Sequence, residues 1–137
     1  MLPSGLPDQI DDSEDLARFL TQSSQFNSTV VKPSAFLPNP KDQETSASRH
    51  GVEPAETLWD LGRQAAGARR LYGAAVLKSR VVRETRLEVV PDEPPLRHAV
   101  IRNWPWVAED RELQKAMQKE LALVLASAAG APILCGQ

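Results

Sequence analysis

The order of helical and extended stretches in this chain predicts an α+β domain: a mostly antiparallel sheet of about four to five strands packed by two to three helices. Three observations carry that expectation. Apolar residues recur at helical spacing from Leu113 to Ala128. Two extended stretches, Arg86 to Val90 and His98 to Arg102, are joined by Pro91-Asp92-Glu93-Pro94-Pro95, a link that suits neighbouring antiparallel strands. A Pro/Asn turn divides Ser28 to His50 into two further extended segments.

Residues 1–11 hold Pro3, Gly5 and Pro7 and are expected to form a flexible leader, followed by one domain over 12–129 and a tail over 130–137. A first helix is expected from Asp12 or Ser13, either of which can cap it, with Glu14 and Asp15 in the first turn. Leu16, Phe19 and Leu20 then fall at i, i+3 and i+4 as one buried stripe. Ser28 to Leu37 is expected as the first strand, since Val30 and Val31 fit a pleated surface and Pro33 confines the strand to an edge or a bulge. Asn39-Pro40-Lys41-Asp42 is a turn by composition, and Glu44 to Arg49 returns as a second strand to complete a hairpin.

A helix over roughly 54–69 follows. Pro54 fits its first turn, and Leu58, Leu61 and Ala65 give it an apolar face with Trp59 beside them. Gly62 and Gly67 each weaken it by about 1 kcal/mol relative to Ala and are read as close-packing positions. Leu71 to Leu77 is extended, while Lys78 to Thr85 fits either a helical turn or a continued strand. Arg86 to Val90 forms the next strand. In His98 to Arg102, Ala99 and Ile101 share one face and His98, Val100 and Arg102 the other. The last helix, about Asp110 to Ala128, places Leu113, Met117, Leu121, Val124, Leu125 and Ala128 on one stripe, and Gly130 with Pro132 stops it.

Composition agrees with a soluble domain. The chain has 137 residues, 42% of them apolar and 25% charged. Its net charge of −2 hides an asymmetry: residues 1–62 carry 4 Lys/Arg against 10 Asp/Glu, and residues 63–102 carry 9 against 4. A basic middle segment can meet a phosphate or an acidic partner, or else face the acidic half within the fold. One cysteine, Cys135, rules out an internal disulfide and suits a reducing compartment. The N-terminus lacks the basic and apolar regions of a signal peptide, and the apolar run Leu121 to Ala129 is too short to cross a bilayer, so a cytoplasmic protein without membrane contact is expected.

No motif names a reaction. Two histidines and one cysteine show no zinc spacing, no glycine-rich phosphate loop is present, and no cofactor or catalytic residue is assigned. The constellation that carries most chemistry is Lys32, Thr45, Ser46, Arg49 and His50 on the expected hairpin, with His98 and Arg102 on the later strand. On one sheet face it would gather cations, imidazoles and a hydroxyl fit for a phosphate or ribose. Strand parity divides it, because Lys32 and Ser46 share one parity and Thr45 and Arg49 the other. Trp104 and Trp106, bracketing Pro105, are suited to fill a partner groove or to lid the core.

Lys32-Pro33-Ser34-Ala35-Phe36, Glu44-Thr45-Ser46 with Arg49, Trp59-Asp60-Leu61-Gly62, and His98-Ala99-Val100-Ile101 with Trp104-Pro105 stand in the order K-x-x-A-F, E-T-S-x-x-R, W-x-x-G, H-A-x-I-x-x-W-P. In this the chain resembles a group of small, uncharacterised bacterial proteins over about residues 28–106. The resemblance implies a bacterial, cytosolic unit encoded beside partner proteins, and it carries over no catalytic role.

The expectation is therefore a non-enzymatic protein-interaction module, an accessory subunit of a bacterial multi-protein system. Its contact surface would comprise Lys32, Phe36, Ser46, Arg49, His50, His98, Arg102, Trp104 and Trp106. The alternative is a nucleotide- or RNA-phosphate-processing enzyme using Lys32, Arg49, His50 and His98. A further alternative is nonspecific nucleic-acid binding by the basic middle segment, which predicts a steep salt dependence.

Overall fold

In the computed structural model, which describes residues 2–50 and 55–136, the chain forms one antiparallel sheet of six strands and three helices among those residues. The strands are β1 (Asp15–Leu20), β2 (Thr45–His50), β3 (Gly73–Lys78), β4 (Glu88–Pro91), β5 (His98–Arg102) and β6 (Ile133–Leu134). The helices are α1 (Ala55–Ala66), α2 (Ser79–Glu84) and α3 (Arg111–Ala129). Strand order across the sheet is β4-β5-β2-β1-β3-β6, so the class is α+β and the sheet is wider than the four to five strands expected.

The expected first helix is a strand. Asp15 to Leu20 pairs with β3 along its whole length and with β2 over its first half. Leu16 and Leu20 enter the larger core while Ala17 and Phe19 enter a second cluster with Leu58, Trp59, Ala74 and Val76. A central strand covered on both faces shows no apolar/polar alternation, and its three large apolar residues fell by chance on helical spacing. The acids expected to sit at a helix N-terminus pair with cations instead: Asp12 with Arg83 at 2.6 Å, Asp15 with Lys78 at 3.0 Å and Glu14 with Arg49 at 2.9 Å. Part of the acidic first half thus faces part of the basic middle.

The expected strand Ser28 to Leu37 and its hairpin are absent. The Asn27 carboxamide oxygen accepts from the Thr29 and Val30 amides and turns the chain, a single bridge joins Phe26 to Val31, and Pro33–Ala35 is a 3-10 turn with Pro at its first position. Phe36 is driven into the core, where its carbonyl accepts from the Thr45 hydroxyl at 2.7 Å. The second half of the expected hairpin is present as β2, but it pairs with β1 and β5.

The later elements follow the sequence more closely. The α1 span falls within the expected helix, although Pro54 lies outside the described residues. Gly62 is a close-packing position, since a Cβ there would stand 2.8 Å from the Phe19 ring. Gly67 is not: its surroundings are open, and its φ of +62° marks the left-handed turn that follows α1. The ambiguous stretch after Lys78 is helical, and β5 has the expected limits. Arg86 at φ 72° belongs to the turn before β4.

Helix α3 starts after Asp110, whose carboxylate accepts from the Leu113 amide at 3.0 Å. The expected stripe faces the core only in part, through Leu125 and the half-buried Leu121. Gln114, Gln118, Ala122, Leu125 and Ala126 are buried, whereas Leu113 is 47% and Met117 39% exposed, and Val124 is exposed as well. The two glutamines bind the segment leading into the helix. Gln114 accepts from the Val107 amide, and Gln118 donates to the Pro105 carbonyl and to Gln43. Those bonds outweigh the burial that a rotation toward Met117 would gain.

Both chain ends make specific contacts. Ser4 donates to Glu93, Ile10 is buried, and the carbonyl of Pro7 accepts from Arg49. Residues of the expected tail form β6, and the Cys135 thiol lies 3.2 Å from the Leu71 carbonyl. No helix among the described residues is long and apolar enough to cross a membrane.

Candidate functional site

β1 and β2 part company halfway along. They pair at Asp15/His50, Leu16/Arg49 and Ala17/Ser48, and beyond that β1 pairs only with β3 while Thr45 to Ala47 pair only with β5. The Arg18 side chain crosses the gap. Its Nε donates to the Ala35 carbonyl at 2.7 Å and its Nη1 to the Ser46 carbonyl at 3.0 Å, so a guanidinium stands in for part of the missing ladder.

A cleft of about 580 Å³ opens over this gap. Its floor is Ser46, Ala47 and Ser48 of β2, one wall is Leu61, Gln64 and Ala65 of α1, and the loops at 37–40 and 95–96 form the rim. Helix α1 packs over the β1 half of this sheet face, so the β2 half is left open. Arg69, just after α1, enters from the side. It donates to the carbonyls of Ala65 and Ala66 and to the Thr21 hydroxyl at 3.4 Å. These bonds fasten it where the helix leaves its last carbonyls unpaired.

Electrostatically the cleft is unusual for what it lacks. Neither Arg18 nor Arg69 has a carboxylate at ion-pair distance among the described residues. Desolvation by burial, and after it the positive charge of Arg69, lowers the Arg18 pKa from the ordinary guanidinium value to about 10. Ser48 is only 5% exposed, and its hydroxyl makes no hydrogen bond. A buried polar atom without a partner is uncommon in a folded protein. Glu44 adds one negative charge to the lining.

Of the residues singled out from sequence, Ser46 and His98 line this cleft. β2 and β5 are neighbours, with Ser48 directly opposite His98. The His98 Nδ1 lies 2.9 Å from the Asp92 carbonyl and 3.2 Å from its carboxylate, which fixes the ring. The others lie elsewhere. Arg49 is 0% exposed and leaves the opposite face from His98, held by Glu14 and by the Pro7 carbonyl, so these two do not share a site. Lys32 is exposed on the loop before the 3-10 turn, and Phe36 is core. His50 is half-buried at the end of β2, and Arg102 pairs with Glu88 at 2.9 Å. Trp104 is buried with its Nε1 donating to the Ile101 carbonyl, whereas Trp106 is 65% exposed beside the first turns of α3.

Sequence reasoning missed Arg18, Arg69 and Ser48. One signal existed for Arg18: a lone cation inside the apolar run Leu-Ala-Arg-Phe-Leu. The aligned Ser48, His98 and Asp92 carry the residue types of a hydrolytic triad, yet the hydroxyl makes no bond to the imidazole. The arrangement is one that can hold a ligand through fixed donors. Comparison with family models, with curated proteins and with solved structures finds no match to this chain.

Proposed function

We propose that this chain is a non-enzymatic protein-interaction module, an accessory subunit of a bacterial multi-protein system, whose cleft receives a short segment of its partner. The observation that supports this reading is the open half of the sheet face beside α1. It presents fixed polar groups on its floor and exposed apolar residues, Leu37 and Leu96, at its rim. Mixed polar and apolar lining in a cleft of this size is what specific docking uses. The two unpaired arginines make an acidic segment the complementary occupant.

The test is selection of random displayed heptapeptides on the full chain, followed by rebinding to Leu96→Asp. Leu96 is exposed, so that variant keeps the fold. Enriched acidic peptides that lose binding to Leu96→Asp are the expected result. No enrichment, or peptides indifferent to the rim substitution, removes the cleft as the docking surface.

A further inference from the structure

We propose that the floor of this cleft is a carboxylate-recognition site in which Arg18, Arg69 and Ser48 together anchor a singly charged acidic group. The inference deepens the docking reading, and it rests on the cleft's being a binding site but not on the ligand's belonging to a protein.

Three independent features of the site converge. The first is donor capacity. A guanidinium has five N–H groups in a rigid fork. Arg18 uses two of its groups on the Ala35 and Ser46 carbonyls, so three remain. Arg69 is likewise held by carbonyls and a hydroxyl, with N–H groups to spare. Both forks are already oriented by the backbone, so a ligand gains their bonds without ordering the side chains first.

The second is the hydroxyl. Ser48 is buried, faces the same side of the sheet as His98, and lacks a partner. An oxygen acceptor on the cleft floor satisfies it and offsets the desolvation cost of a buried hydroxyl without a protein partner.

The third is charge. Arg18 and Arg69 supply two positive charges without carboxylate partners among the described residues, and Glu44 in the same lining supplies one negative charge. The excess of one matches a carboxylate, and a phosphate dianion would overcompensate it. Bringing an anion to Arg18 also relieves the repulsion from Arg69 that disfavours its charge.

The experiment is an NMR titration of the labelled full chain with N-acetyl-glutamate amide, with N-acetyl-glutamine amide and methyl phosphate as separate arms. Saturable shifts at the Ser46 and Ser48 amides and at the Arg18 and Arg69 side-chain N–H groups are expected with the glutamate probe only. Arg69→Gln should weaken it about tenfold, the loss of a charge-assisted bond, and Ser48→Ala about fivefold. Glu44→Gln should tighten it. Arg69 is exposed and Glu44 half-buried, and the unperturbed amide spectrum of each variant away from the cleft checks that the fold is kept.

An absent or unsaturable response overturns the proposal, as does a response equal for the glutamine probe or indifferent to Arg69→Gln. Saturation by methyl phosphate alone replaces the carboxylate with a phosphate and also overturns it. If the glutamate probe binds as expected while no displayed peptide is enriched, the carboxylate site stands and the protein-docking reading falls.

Discussion

Arg18 is the residue on which the most opposed forces act. Its guanidinium closes the gap between two diverging strands, and the same burial penalises its charge. The sign of the resulting pH dependence follows from linkage. With a folded pKa of about 10, below the ordinary guanidinium value of the unfolded chain, the unfolded chain holds a proton that the folded chain has released between those two values. The stability of the wild type relative to Arg18→Gln should therefore rise as pH climbs through that window, and below it the charged form weighs against folding. Urea unfolding of the two proteins at pH 9, 10 and 11 measures it. Arg69→Gln should move the Arg18 titration upward, read from its side-chain NMR shifts, because one of the two causes of the depression is gone.

At the scale of elements, α3 partly separates two things usually found together, an apolar stripe and a buried face, with Leu121 and Leu125 alone of the stripe's large residues turned to the core. Leu113, Met117 and Val124 point outward, and Gln114 and Gln118 point in because each satisfies backbone or side-chain groups of the preceding loops. Leu113→Ser and Met117→Ser should each change stability by under about 0.5 kcal/mol, as exposed positions do. Gln118→Leu should cost about 1–3 kcal/mol despite its greater hydrophobicity, since it strands the Pro105 carbonyl. Thermal and urea denaturation of the three variants decide the order. The same separation explains what the sequence could convey. Periodicity located α3, α1 and β5, whose ends carry caps or prolines, but it reports which residues are apolar and not which direction the core lies. Leu16, Phe19 and Leu20 imitated a helix because both sides of β1 are covered. In Ser28 to Leu37 the β-branched Val30 and Val31 suggest a strand, and the turn made by Asn27 overrides them. The cleft was largely illegible: the opposition of Ser48 and His98 depends on a β2–β5 pairing between residues 50 positions apart, and Arg18 became a site residue only through the parting of two strands.

For the whole molecule, the acid-rich beginning and the basic middle are joined at a few defined points. Asp12 with Arg83 and Asp15 with Lys78 are those points, while within the acid-rich part itself the fully buried Arg49 is the central tie: Glu14 holds it from just before β1, and the Pro7 carbonyl ties the leading residues to the same group. Glu14→Ala should cost about 3 kcal/mol, because it leaves a buried cation with carbonyl partners alone. A drop in the urea midpoint with an unchanged slope is the expected signature of an intact fold that unfolds as one unit. A larger effect than for Arg102→Ala is also expected, since the Arg102–Glu88 pair is exposed.

The sheet can also be seen as two ribbons of three strands, β4-β5-β2 and β1-β3-β6, stitched along a seam only three residue pairs long. Past the last stitch the backbone ladder between them gives way to one arginine. Tension drawn across the molecule is therefore borne unevenly, and the ribbons should begin to peel apart at the Arg18 end. A ligand wedged there would act as a rivet.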